Sequence, residues 1–179
     1  LCDDVVSRGV GVVYKCEFIY YLVFFLWYLL SLLPLRVLYF ISDVLFVPLF
    51  YGLKYRRGIV HRNIAGSFPE KTEEEILKIE KEFYHFFCDY VVETIKLFSM
   101  SKKQMMKRMT FSGLDEVRAE LDKAGKKCCF VCLGHYCNWE YVASLQYWFP
   151  EIHCGQIYHP LYNKAFDKLF LRLRGQFGG

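Results

Sequence analysis

The sequence predicts an α/β protein: a hydrophobic helical anchor at the N-terminus, then helices, then a mixed or parallel sheet left incomplete. Three observations carry this. Residues 18–35, FIYYLVFFLWYLLSLLPL, hold no charge. Residues 72–98 place Ile76, Ile79, Phe83, Phe86, Phe87, Tyr90, Ile95 and Phe98 at helical spacing. Past Ser101, short apolar runs alternate with helical patterns, as strands and helices do in layered α/β folds.

Taken in order, residues 1–17 show no clear periodicity and read as a tail of uncertain origin. The uncharged run after them covers roughly 18 positions, the threshold for a spanning helix. A secretory signal has a shorter apolar core followed by a small-residue cleavage site. Here Pro34-Leu35-Arg36 leads into a second apolar stretch, residues 37–53, broken only by Ser42, Asp43 and Pro48. Residues 18–53 therefore read as a membrane anchor. Lys54, Arg56, Arg57, His61 and Arg62 come next, and basic residues beside a membrane segment are retained on the cytoplasmic side. Whether the second stretch is interfacial or embedded, the sequence leaves open.

Residues 67–71 read as a turn. Thr72 with Glu75 then fits a capping box, the Thr hydroxyl taking one free helix N–H and the Glu carboxylate another. The helix over 72–98 presents a stripe that suits a core, and its many aromatics also suit a lipid-dipping face. Residues 109–111 are expected as a short strand, and 115–124 as a helix stopped by Gly125. Residues 128–133 (CCFVCL) are expected as a strand, 139–149 as a helix ending before Pro150, 153–158 as a strand and 163–174 as a helix. Two or three strands leave an unpaired edge, so the domain over 54–179 reads as cut short.

Composition narrows the function classes. At 54% hydrophobic the chain is not disordered as a whole, and 19% aromatic content is typical near bilayers. Up to Leu53 there are three basic residues against four acidic, and beyond it twenty against fifteen. That excess suits anionic lipid or an acidic protein partner. Nucleic acid is not expected, because no stripe of interleaved Arg and aromatic residues accompanies the charge. Cys128, Cys129, Cys132 and Cys137 include a C-x-x-C, yet within an apolar run they read as small hydrophobes in a buried strand and not as metal ligands. Reduced thiols facing the cytosol are the expectation.

The most informative stretch is Leu133-Gly134-His135-Tyr136-Cys137-Asn138-Trp139-Glu140. On one helix His135 and Glu140 would stand about 140° apart, and on one straight strand they would face opposite ways. They can meet only across a bend, and a strand–turn–helix supplies one. Asn138 is placed to cap the helix carrying Glu140. Imidazole can take a proton from an alcohol near neutral pH, and a carboxylate on its far nitrogen orients it and stabilises the imidazolium. Cys137 as a covalent nucleophile ranks below direct transfer. An isolated H-x4-E is more often structural than catalytic, so the weight rests on the whole string.

That string, GHYCNWE, resembles the G-H-x-G-N-W-E signature of the bacterial lipid A biosynthesis acyltransferases, the lauroyl/myristoyl transferases of the lysophospholipid acyltransferase superfamily. The likeness runs from about residue 18 onward and takes in Asn63, the Ser67-Phe68-Pro69 turn, Gln156-Ile157-Tyr158-His159-Pro160-Leu161, Asn163, and Arg172-Leu173-Arg174 through Phe177-Gly178. It implies a sheet of glycerolipid-acyltransferase type. It also implies transfer of a fatty acyl chain from an acyl-carrier-protein thioester to a hydroxyl of a lipid A precursor, at the cytoplasmic face of the bacterial inner membrane. No metal or bound cofactor is required. By this likeness His135 matches the general base and Glu140 its carboxylate partner. Asn138, Asn163 and Arg174 are the substrate-binding candidates, although helix capping explains Asn163 and a solvated helix face explains Arg174 equally well. Cys137 stands where the family usually has Gly, putting a Cβ on a turn that favours positive φ, and His159 stands where many relatives carry Arg. The implied partners are acyl-carrier protein, the lipid A precursor and membrane lipids. Two alternatives remain: a non-catalytic membrane-attached fragment, and an acyltransferase acting on a glycerophospholipid.

Overall fold

Helix α1, Tyr20–Ser31, opens the computed structural model, which describes residue 18 and residues 20–151 and 153–177. It is followed by α2 (Leu35–Val47), which runs directly into a π-helical turn, Pro48–Gly52. Next come α3 (Arg57–Ser67), α4 (Glu73–Leu97), α5 (Lys102–Arg108) and α6 (Leu114–Lys123). A 3-10 segment, Trp139–Tyr147, and α7 (Lys164–Gly175) complete the order. The expected tail at 1–17 lies outside the described residues.

Among the described residues there is no strand, which overturns the expected α/β class. Residues 109–111, 128–133 and 153–158 have strand-like composition but no ladder. A strand exists only through hydrogen bonds to a neighbour, and these runs do not pair with one another. Phe130 is 89% exposed and Ile157 92%, so the cysteines beside Phe130 are not buried hydrophobes either. The helix expected at 139–149 is instead a 3-10 segment.

The uncharged run at 18–35 is divided. Pro34 stands at the N-cap of α2, and a residue before proline is pushed out of the helical region, so α1 ends at Ser31. At about 1.5 Å per residue, Tyr20–Ser31 covers roughly 18 Å. Among the described residues, the helix long and apolar enough to cross a membrane is Leu35–Gly52, with mean hydropathy 1.5.

The chain divides into two units, Leu30–Lys96 and residues 1–29 with 97–179. Within the first, α2 runs antiparallel along α4. The Tyr39 hydroxyl donates to Glu93, Ser42 Oγ donates to Asp89 at 2.6 Å, and Phe46 stacks on His85 with ring centroids 3.6 Å apart. Phe46, Phe50, Tyr84 and Cys88 form the buried cluster. Glu80 is buried on α4 and takes hydrogen bonds from Arg57 and His61 of α3, which answers the cost of burying its carboxylate. Lys96 Nζ donates to the carbonyls of Ser31 at 2.6 Å and Leu33 at 3.1 Å, capping the carbonyl end of the first apolar segment. Burial pushes the Lys96 ammonium below its usual range.

In the second unit, Leu97, Met100, Met105, Tyr141, Ala143, Leu173 and Phe177 form one buried cluster, and Tyr20, Ala165 and Leu169 another. Trp27 sits edge-on among Phe98, Phe166 and Phe170. Local signals fix the helix ends. Ser101 and Gln104 make a reciprocal capping box at α5. Gly125 at φ +60 follows α6, and the bonds Gly125 N–H to Asp122 O and Lys126 N–H to Leu121 O close a Schellman turn.

Candidate functional site

The GHYCNWE stretch begins in exposed, irregular chain and ends in the core. The Tyr136 N–H returns to Gly134 O at 2.9 Å, and Cys137 takes a left-handed φ of +51. Together they make a corner in the chain between His135 and Glu140. Asn138 then stands at the N-cap of the 3-10 segment, but its side chain makes no cap hydrogen bond; its carbonyl accepts from the Tyr141 N–H at 3.2 Å.

The two candidate catalytic side chains leave the corner differently. His135 is exposed, with its ring edge-to-face on Trp139 at 4.6 Å between centroids. Glu140 is 3% exposed, and both its oxygens are taken by Arg174. Arg174 Nε donates to Oε2 at 2.8 Å and Nη2 donates to Oε1 at 2.6 Å. The corner is present, and the hydrogen bonds of Glu140 go to Arg174, not to His135.

Packing explains why Arg174 arrives there. Tyr141 and Ala143, just past Glu140, share a buried cluster with Leu173 and Phe177 on either side of Arg174. The same register that buries Leu173 and Phe177 aims Arg174 at the carboxylate. Arg174 also lies over the Phe170 ring, 5.5 Å from its centroid. Such a two-point grip on a nearly buried carboxylate is the planar geometry that guanidinium supplies and ammonium does not. Asn163 sits at the start of α7, where its Oδ1 accepts from the N–H groups of Ala165 and Phe166 at 3.0 and 3.3 Å. Capping thus occupies Asn163, and the carboxylate occupies Arg174.

Burial pushes the Cys154 thiol up, helped by the neighbouring Cys129, and burial also raises the Tyr147 phenol. Cys128, Cys129, Cys132 and Cys137 are exposed free thiols. Among the described residues no group of three or more His, Cys, Asp or Glu side chains is placed to hold a metal ion.

Sequence reasoning missed the Glu140–Arg174 pair. The two positions are 34 residues apart, and no local spacing rule connects them; the only signal was an acid in one polar motif and an arginine in another.

A comparison with protein families matches residues 11–179 to the bacterial lipid A biosynthesis acyltransferase family. No curated protein and no solved structure matches the chain. The family match spans nearly the whole sequence, including the corner, its histidine, its carboxylate and the arginine that holds it. The chain belongs to the bacterial lipid A biosynthesis acyltransferases.

Proposed function

We propose that this chain is a membrane-associated O-acyltransferase that moves a fatty acyl group from an acyl-carrier-protein thioester to a hydroxyl of a lipid A precursor, at the cytoplasmic face of the inner membrane. The observation that carries the reading is the GHYCNWE corner, with an exposed imidazole at its rim and a buried, arginine-held carboxylate behind it, inside a family match over residues 11–179.

His135 accepts the proton of the acceptor hydroxyl as the oxygen attacks the thioester carbonyl. The tetrahedral intermediate collapses, the carbon–sulfur bond breaks, and the imidazolium returns its proton to the departing thiolate. Glu140 orients the imidazole and balances its charge. The two-point contact with Arg174 uses one lone pair on each carboxylate oxygen, and a carboxylate has about four acceptor positions. Capacity is left for the imidazole N–H once the exposed His135 side chain turns inward from Trp139. Arg174 and Asn163 remain substrate-binding candidates through whatever faces the cap and the ion pair leave open, and Asn138 through its side chain beside the corner.

A non-catalytic, membrane-attached protein is the second reading, favoured by Glu140 bonding Arg174 and not His135. One assay separates the two. With acyl-carrier-protein thioester and lipid A precursor, His135→Ala should lower acyl transfer about 10²–10⁴-fold, the usual contribution of a general base, with membrane recovery unchanged. Equal product from the variant and the unaltered chain removes the enzymatic assignment of His135. No product from either supports the non-catalytic reading.

A further inference from the structure

Helix α2 and the π turn after it have the length and hydropathy of a membrane span, yet their surroundings do not suit one. Their inner side is joined along α4: Tyr39 to Glu93, Ser42 to Asp89, and Phe46 stacked on His85. Asp43 lies 3.9 Å from His85. Carrying α2 across a bilayer would carry Asp89 and Glu93 into hydrocarbon with it, together with Glu80, Lys81 and Glu82 on the next turns of α4. Ionised side chains at that depth are among the most costly placements in a membrane protein. Separating α2 from α4 would strip the buried cluster of Phe46, Phe50, Tyr84 and Cys88.

The opposite side of α2 carries an uncovered apolar stripe, with Arg36 and Asp43 exposed along its edge. At about 100° per residue, Val37, Phe40, Val44 and Val47 fall in one stripe roughly 80° wide, and Leu38, Ser42 and Phe46 centre on the far side of the axis. Phe40 is 68% exposed, Val44 55% and Val47 54%, and Tyr51 and Leu53 extend the exposed stretch through the π turn. The chain then passes directly to exposed Lys54, Tyr55, Arg56 and Arg62. An apolar stripe that ends in a basic, aromatic edge fits an anionic lipid surface: the stripe enters the acyl boundary and the cations meet lipid phosphates.

We propose that α2 with its π turn lies along the lipid surface as an interfacial helix, dipping Val37, Phe40, Val44, Val47 and Tyr51 into one leaflet without crossing it. This rests on the membrane association proposed above and specifies its geometry.

The test uses the full chain expressed in bacterial membranes, with Arg36→Cys and Lys54→Cys marking the two ends of the helix. A membrane-impermeant maleimide is applied to spheroplasts and to inverted inner-membrane vesicles, and labelling is read per peptide by mass spectrometry, which separates these sites from the native cysteines. An interfacial helix is labelled at both ends in inverted vesicles and at neither in spheroplasts. One end labelled in each preparation means that the helix spans, and overturns the proposal. In parallel, Phe40→Asp/Val44→Asp, both on the exposed side and checked for helicity by circular dichroism, should reduce flotation with phosphatidylethanolamine–phosphatidylglycerol vesicles about tenfold. Undiminished flotation overturns the assignment of the stripe. A concentration-dependent dimer without lipid that the same double variant abolishes also overturns it, in favour of a second copy as the occupant. If the unaltered chain does not sediment with membranes, membrane association itself falls, a result distinct from a spanning topology.

Discussion

Cys137 shows how one backbone angle shapes the candidate site. Its φ of +51 is a conformation that L side chains occupy at a cost and glycine occupies freely. The residue is held there because Gly134 to Asn138 must lead exposed, irregular chain into a 3-10 segment whose Tyr141 is buried. Cys137→Gly should therefore stabilise the fold by about 1 kcal/mol, read as a higher urea midpoint; a lower midpoint would mean that the thiol contributes more than the strain costs. Two residues away, His135 bears on Trp139, and Glu140 faces inward to Arg174. The identity of the residues at this corner was legible in the sequence. Their directions were not, because a guanidinium 34 positions away claims the carboxylate.

At the scale of elements, helix ends were the most legible features, since a cap is chemistry between residues three or four apart. The box read at Thr72 and Glu75 is present: the Thr72 N–H donates to Glu75 Oε2 at 2.9 Å and the Glu75 N–H to Thr72 Oγ1 at 3.4 Å. Thr72→Ala should cost about 1 kcal/mol, measured by urea unfolding at neutral pH. The backbone N–H of Thr72, then its hydroxyl, then Lys71 hold the Glu75 carboxyl below the usual range. A lowered carboxyl stabilises the fold at pH above its unfolded value and ceases to do so as pH falls through its folded value. The difference between Thr72→Ala and the unaltered chain should shrink in acid below the normal glutamate range; a constant difference would assign the effect to the hydroxyl alone. Ser101 and Gln104 form the same box at α5, a helix that the apolar periodicity does not predict. Gly125 and Asn163 also cap where local rules placed them. The strands failed for the opposite reason: CCFVCL has strand composition, but composition cannot supply a neighbour.

At the scale of the molecule, each unit owns a buried cluster, and stability should be lost locally. Leu173 is 1% exposed among Met105, Tyr141 and Phe177. Leu173→Ala should cost about 2–5 kcal/mol, and amide exchange should accelerate first in residues 97–177. Acceleration beginning instead in residues 30–96 would contradict that assignment. The apolar N-terminal third follows the same logic. Hydropathy marks residues 18–53 as one apolar region, but Pro34 separates α1 from α2, and the polar links from α2 to Asp89 and Glu93 tie α2 to a charged partner.

What the sequence determined by itself was whatever depends on neighbours along the chain: the caps of α4, α6 and α7, the apolar segments, the corner motif and, through that motif, the family. The tertiary structure alone decided that strand-like runs stay unpaired, that Glu140 is held by Arg174, and that α2 presents one apolar side to α4 and another to its surroundings. Each of these turns on which distant group arrives. Burial and a two-point ion pair can redirect a side chain or a helix against its local pattern, because contacts between remote segments outweigh the fraction of a kcal/mol that local preference contributes per residue.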